Sequence, residues 1–297
     1  MTSETQSITK PDFPWNDNEL VDSVYNNKKN YKIIKTKAKT GKIIVFFSSN
    51  AIYYPNDEET FTKRIIEEDY YDWTNISKHK LIRKNFEKIV FVRDVYKQWY
   101  VKGINKDIND INSLIGLVKS ITKGYKVTTV GSSAGGYIAS LVGCQIGAER
   151  IINNSGQYNL DKCDNLGPFI EKYSNDENKS KYYDIVPYIK ENSSRIYYFY
   201  PSSCEYDIIQ SSLTEGLHIN YFAMDSTKHG EAIRPVCYPY VITLNKEKLN
   251  RLCSRSRADI VKEKYLYKMV VPINIKCFLN IKKKLKRILS VVKKNKT

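Results

Sequence analysis

Several common signals are missing from this chain. Its six cysteines (Cys144, Cys163, Cys204, Cys237, Cys253, Cys277) are scattered through 297 residues with no C-x-x-C pair. That spacing suggests neither a zinc site nor a disulfide framework, and no metal is expected; the thiols suit a reducing cytoplasm. The opening "MTSETQSITKPDFPWNDNEL" has no apolar core, and no run of about 18 apolar residues occurs anywhere, so neither a secretory leader nor a spanning helix is expected. GxGxxG is absent, and no glycine-rich loop leads into Lys-Ser or Lys-Thr, which removes the dinucleotide and P-loop readings. Only three histidines are present, His79, His218 and His229.

Positive charge is plentiful but uneven. The net charge is +16, and Lys262 to Thr297 holds eleven lysines and one arginine against Glu263 alone. The first 261 residues are therefore left with only +5. Twenty-four tyrosines offer stacking faces, yet the charge is terminal and no nucleic-acid motif accompanies it, so no nucleic-acid partner is expected.

Strand and helix signals alternate along the body. "YKIIKTKAKTGKIIVFFSSN" reads as two strands joined at Lys39-Thr40-Gly41-Lys42, and "KIVFVRD" as a buried strand. "DINDINSLIGLVKSITKG" has helical spacing and stops at a glycine, while "RIINNS", "RIYYFYP" and "LHINYFAM" supply further strands. This alternation predicts an α/β fold, a mostly parallel sheet with helices on both faces. We divide the chain into a polar, loop-like segment (1–30), one domain (31–261) and a basic tail (262–297). The polar, Asn/Lys/Tyr-rich stretch at about 160–194 is too long for a simple connection and suits a lid-like insertion.

"KVTTVGSSAGGYIASLVG" carries the chemistry. A β-branched strand turns at once into a helix through Gly131-Ser132-Ser133-Ala134-Gly135, the G-x-S-x-G elbow that lifts a serine to the end of an α/β-hydrolase sheet. The competing reading is an ordinary Gly/Ser turn. A serine hydroxyl needs a base, and in this fold acid and histidine follow the serine in chain order, each after a strand. His79 precedes the elbow and His218 starts a strand, which leaves His229 in "DSTKHGEAI". One strand earlier, "RIYYFYPSSCEYDIIQ" offers Asp207 as the orienting acid, with Glu205 as runner-up and helix capping as Asp207's plainer role. An oxyanion would be held by the N–H of Ala134 and by a donor from "FFSSNAIYY", Ser49 or Asn50, with Ser48 also open.

"FVRDVYKQWYVKGI" ahead of a helix, the elbow, "CEYD" and "KHGEA" together resemble a bacterial α/β-hydrolase-fold group of surface-polysaccharide biosynthesis, one that includes capsular polysaccharide O-acetyltransferases. The resemblance spans about residues 43–235. It implies a Ser133–His229–Asp207 triad working through an acyl-enzyme, an oligosaccharide or polysaccharide acceptor, and acetyl-CoA as acyl donor with no resident cofactor. It also implies that Asp94, Trp99 and Tyr100, which match its "RD…WY" segment, line the acceptor site; the alternative for these three is a buried cap with aromatic packing. A carboxylesterase or deacetylase acting on glycan esters would use the same triad, and a non-catalytic adaptor would use only the scaffold.

The tail places Phe278, Ile281, Leu285, Ile288, Leu289 and Val292 three to four residues apart, with basic residues between them. This is the pattern of a basic amphipathic helix, suited to the inner, anionic face of a membrane or to docking on the protein itself.

Overall fold

The computed structural model describes residues 18–163, 172–253, 259–273 and 275. Its first half runs α1 (Glu19–Asn27), β1 (Tyr31–Lys35), β2 (Lys42–Phe47), α2 (Lys80–Asn85), β3 (Lys88–Val92), α3 (Ile111–Thr122), β4 (Lys126–Ser132) and α4 (Ala134–Gln145). Then follow β5 (Arg150–Asn154), β6 (Ile196–Pro201), α5 (Glu205–Ser212), β7 (Asn220–Met224), α6 (Tyr238–Thr243), α7 (Lys246–Leu252), β8 (Ile260–Val261) and α8 (Glu263–Val270). Single-turn helices and a short π-helix at Thr62–Glu67 fill some of the connections.

The strands form one sheet in the order β1-β3-β2-β4-β5-β6-β7-β8, with β1 antiparallel to β3 and every other pairing parallel. Central strands such as β2 (KIIVFF) and β6 (IYYFYP) are apolar on both faces, because both faces are covered. Ile43, Val45 and Phe47 pack beneath α3, α4 and the tyrosines of the 160–194 insertion. Ile44 and Phe46 point the other way, toward α2, α6, α7 and α8. This is the α/β-hydrolase arrangement expected from the sequence.

Two local expectations are corrected. Residues 1–30 are not all loop: Asn18 caps α1, whose Val21, Val24 and Tyr25 are buried against Val95, Tyr96 and Phe61. Apolar positions three and four apart on so short a helix were masked by its polar surroundings. The two strands joined at Lys39-Thr40-Gly41-Lys42 are present as β1 and β2, although β3 lies between them in the sheet. The domain also continues past residue 261, since Leu266, Val270 and Val271 of the α8 region enter the core. In the insertion, Tyr173, Tyr182 and Tyr183 are buried; the Tyr173 hydroxyl donates to Gln98 Oε1, and that of Tyr137 on α4 to the Tyr182 carbonyl. This part of the insertion is fastened to the body. The tail's apolar stripe from Phe278 to Val292 and residues 1–17 lie outside the described residues. Among the described residues no helix is long and apolar enough to cross a membrane.

Candidate active site

β4 meets α4 at Ser133, which adopts φ 52° and ψ −125°. A non-glycine residue in that region costs of order 1–3 kcal/mol and needs surroundings that hold it there. The motif glycines provide the space. A Cβ on Gly131 would sit 1.9 Å from the Gly135 carbonyl oxygen, and one on Gly135 would sit 2.4 Å from that of Phe47. Strand end, helix start and the loop after β2 therefore converge closely enough to project the Ser133 hydroxyl from the C-terminal edge of the sheet, above the N-terminus of α4.

One loop and one helix complete the run from that hydroxyl. His229 lies on the loop after β7, with Nε2 2.9 Å from Ser133 Oγ. Its Nδ1 is 3.1 and 3.0 Å from the two carboxylate oxygens of Asp207. Asp207 is in the first turn of α5 and wholly buried. It does not cap that helix, because the N-cap position belongs to Cys204. With the carboxylate accepting from Nδ1–H, Nε2 is left as the acceptor facing Ser133. A third of the His229 side chain (33%) stays exposed, while Asp207 is shielded. The Tyr206 ring stands edge-on to the imidazole, centroids 5.1 Å apart, and its hydroxyl donates to Cys163 Sγ. Burial raises the Tyr206 phenol well above its usual range, keeping it neutral.

Asn154, at the end of β5, fixes the two loops relative to each other. Its carbonyl accepts from Ser133 N–H at 3.0 Å. Its amide donates at 2.9 Å both to Ser132 Oγ and to the carbonyl of Gly230, beside His229. The sequence reading missed this residue. The available signal was the abrupt change from Ile151-Ile152 to Asn153-Asn154 at the active edge of a buried strand.

The other predicted residues divide. Ala134 N–H belongs to the first turn of α4, where no intrahelical acceptor exists. Ser49 is engaged elsewhere, because its N–H and hydroxyl both donate to Asp72 at 2.8 Å. Burial raises the Asp72 carboxyl, and these two bonds hold it down in part. Asn50 donates through its amide to the Lys97 carbonyl. Asp94 and Tyr100 take the plainer of their two roles. The Asp94 carboxylate accepts from the N–H groups of Tyr96, Gln98 and Tyr100, and burial lifts it to about 6. The Tyr100 hydroxyl donates to the Ser48 carbonyl at 2.7 Å. Trp99, only 7% exposed, donates to Gln157. Lys97, Trp99 and Tyr100 all have positive φ, so the Asp94 staple holds a strained loop that in turn braces the loop after β2. His79 caps α2 through Nδ1, and His218 is exposed ahead of β7; the imidazole bonded to Ser133 is that of His229. Among the described residues no group of three or more His, Cys, Asp or Glu side chains is placed to hold a metal ion.

No protein-family model matches the chain, and no curated protein does. Solved structures do. A mutant of the capsule O-acetyltransferase of Neisseria meningitidis serogroup A, in complex with CoA, is 15% identical over 69% of this chain and 87% of that one, with a TM-score of 0.48. MenH from S. aureus is 12% identical over 68% of this chain and 91% of that one, TM-score 0.41. Esterase B from Lactobacillus rhamnosis is 10% identical over 69% and 77%, TM-score 0.39.

Proposed function

We propose that this chain is a serine acyltransferase that works through an acyl-enzyme at Ser133 and O-acetylates a bacterial capsular or other surface polysaccharide. The observation that carries the acyl-transfer reading is the unbroken hydrogen-bonded run from Asp207 through His229 to Ser133, at the tip of a strained turn. His229 Nε2 takes the hydroxyl proton as Ser133 Oγ attacks the acyl carbonyl. The Ala134 N–H and a donor at Asn50 receive the oxyanion, Ser49 being held by Asp72. Collapse expels the leaving group, which takes the proton from His229 and leaves acyl-Ser133. A sugar hydroxyl then gives its proton to His229 as its oxygen attacks the acyl carbonyl, and collapse breaks the Ser133 Oγ–acyl bond while Ser133 Oγ recovers the proton from His229. The polysaccharide acceptor and an acetyl-CoA donor are supported by the motif resemblance over about residues 43–235.

The exposed third of His229 leaves the same base open to water, which favours ester hydrolysis as the second reading. Two measurements separate these readings. Ser133→Ala should abolish covalent labelling by a fluorophosphonate and hydrolysis of p-nitrophenyl acetate; labelling that survives the substitution defeats the assignment. Acetyl transfer from acetyl-CoA to purified capsule oligosaccharide should exceed hydrolysis of the donor. Hydrolysis alone makes the protein an esterase, and neither activity leaves the adaptor reading.

A further inference from the structure

β8, at the edge of the sheet, and α8 after it carry several exposed apolar side chains. Leu266 and Val270 point inward. On the outer side Tyr265 is 52% exposed and Met269 55%, with Ile273 (75%) just beyond and Ile260 (57%) on the edge strand. Lys262, Lys264 and Lys268 are exposed among them, and Asp259 and Glu263 are the acids of this stretch. The sequence then adds eight lysines and Arg287 from Lys276 to Thr297 with no Asp or Glu, interleaved with Phe278, Ile281, Leu285 and Ile288.

We propose that this flank, led by Tyr265, Met269 and Ile273, seats the protein on an anionic lipid bilayer. Exposed aromatic, thioether and aliphatic side chains beside lysines match the boundary between headgroups and acyl chains, where Tyr is favoured and negative lipids attract basic segments. Charge decides against two other occupants. A second copy paired through this flank would bring two strongly basic segments together, and docking of the tail on its own body would set it against a chain whose first 261 residues already carry +5. The seat also relates to Ser133. β8 runs parallel to β7, and Asp225 N–H donates to the Val261 carbonyl. α8 thus starts at the same sheet edge from which the His229 loop leaves. A bilayer against this flank lies alongside the active edge, within reach of a membrane-held acceptor. Binding itself needs no catalysis, so it is testable whatever Ser133 does.

The test is flotation of the full chain with phosphatidylcholine vesicles and with vesicles carrying about one third phosphatidylglycerol. The chain should float with the anionic vesicles alone and be released by high salt. Tyr265→Glu with Met269→Glu should lower vesicle affinity roughly tenfold, with unchanged melting temperature and p-nitrophenyl acetate turnover. Equal recovery with both vesicle types overturns the proposal. So does a double variant that floats like the wild type, which would assign binding to the tail alone. A mass by light scattering that falls from dimer to monomer in the double variant would give the face to a second copy and also overturn it.

Discussion

At the scale of single residues, Asn154 does work that no motif announces. Ser133 and His229 are 96 positions apart in the chain, and their separation depends on what ties their loops. One buried amide bonds Ser132 and Gly230 together, while its backbone carbonyl holds Ser133 N–H. Asn154→Ala removes both side-chain bonds and frees the imidazole to drift, and misplacement of about 1 Å at a reacting pair costs on the order of a hundredfold. We expect kcat toward p-nitrophenyl acetate to fall between ten- and a hundredfold per fluorophosphonate-labelled site, with KM within about twofold. A variant that labels incompletely but keeps full kcat per labelled site would show a role in folding only. The residues that could be named from sequence are those whose chemistry is rare in the chain. With three histidines and one G-x-S-x-G, chain order leads to Ser133 and His229, and the strand before His229 narrows the acid to Asp207 or Glu205. Asn154 and Asp72 were not legible because Asn and Asp are common, and their value lies in partners 76 and 23 positions away.

At the scale of elements, the decisive unit is the corner between β4 and α4. Gly131 and Gly135 could be read as spacers for a tight turn, and their close approaches to the Gly135 and Phe47 carbonyls supply the reason. The strands were legible in advance from their apolar, β-branched and aromatic runs, clearest in those buried on both faces, such as β2 and β6, and also in the mostly exposed β1. The sheet's order was not legible, because β1 and β2 are adjacent in sequence yet separated by β3 in space. The corner also stores strain that can be measured. Ser133→Ala and Ser133→Gly both delete the hydroxyl and its bond to His229, but only glycine relaxes at φ 52°. Against the 1–3 kcal/mol of strain stands the extra chain entropy of glycine, so the Gly variant should unfold about 1 kcal/mol harder than the Ala variant. Equal denaturation midpoints would mean that the surroundings, not Ser133, define the turn.

At the scale of the whole molecule, the loop after β3 joins the catalytic half to the α1 side of the protein. Lys97 lies at that junction, 2% exposed, its ammonium donating to the Tyr53 carbonyl and Asn56 Oδ1 and lying 3.6 Å from the Tyr53 ring centroid. Burial pulls it down to about 7, opposed by the charges of Asp72 and Asp94. In the unfolded chain a lysine titrates near 10.4. Between these values the unfolded state holds a proton that the folded state has released, so stability from this group rises with pH, by at most about 1.4 kcal/mol per unit. Below pH 7 both states are protonated and the folded protein carries the full cost of a buried ammonium. Lys97→Met removes the titration but leaves the Tyr53 carbonyl without its donor, an offset that does not vary with pH. We therefore expect the unfolding free energy of the wild type, relative to Lys97→Met, to change little below pH 6.5, apart from the Asp94 attraction lost as that carboxyl protonates near 6, and to climb by several kcal/mol between about pH 7 and 10. The tyrosines common to both proteins cancel in that difference. Urea unfolding at half-unit pH steps measures it directly, and a difference that stays level to pH 10 would mean the ammonium is hydrated in the folded protein.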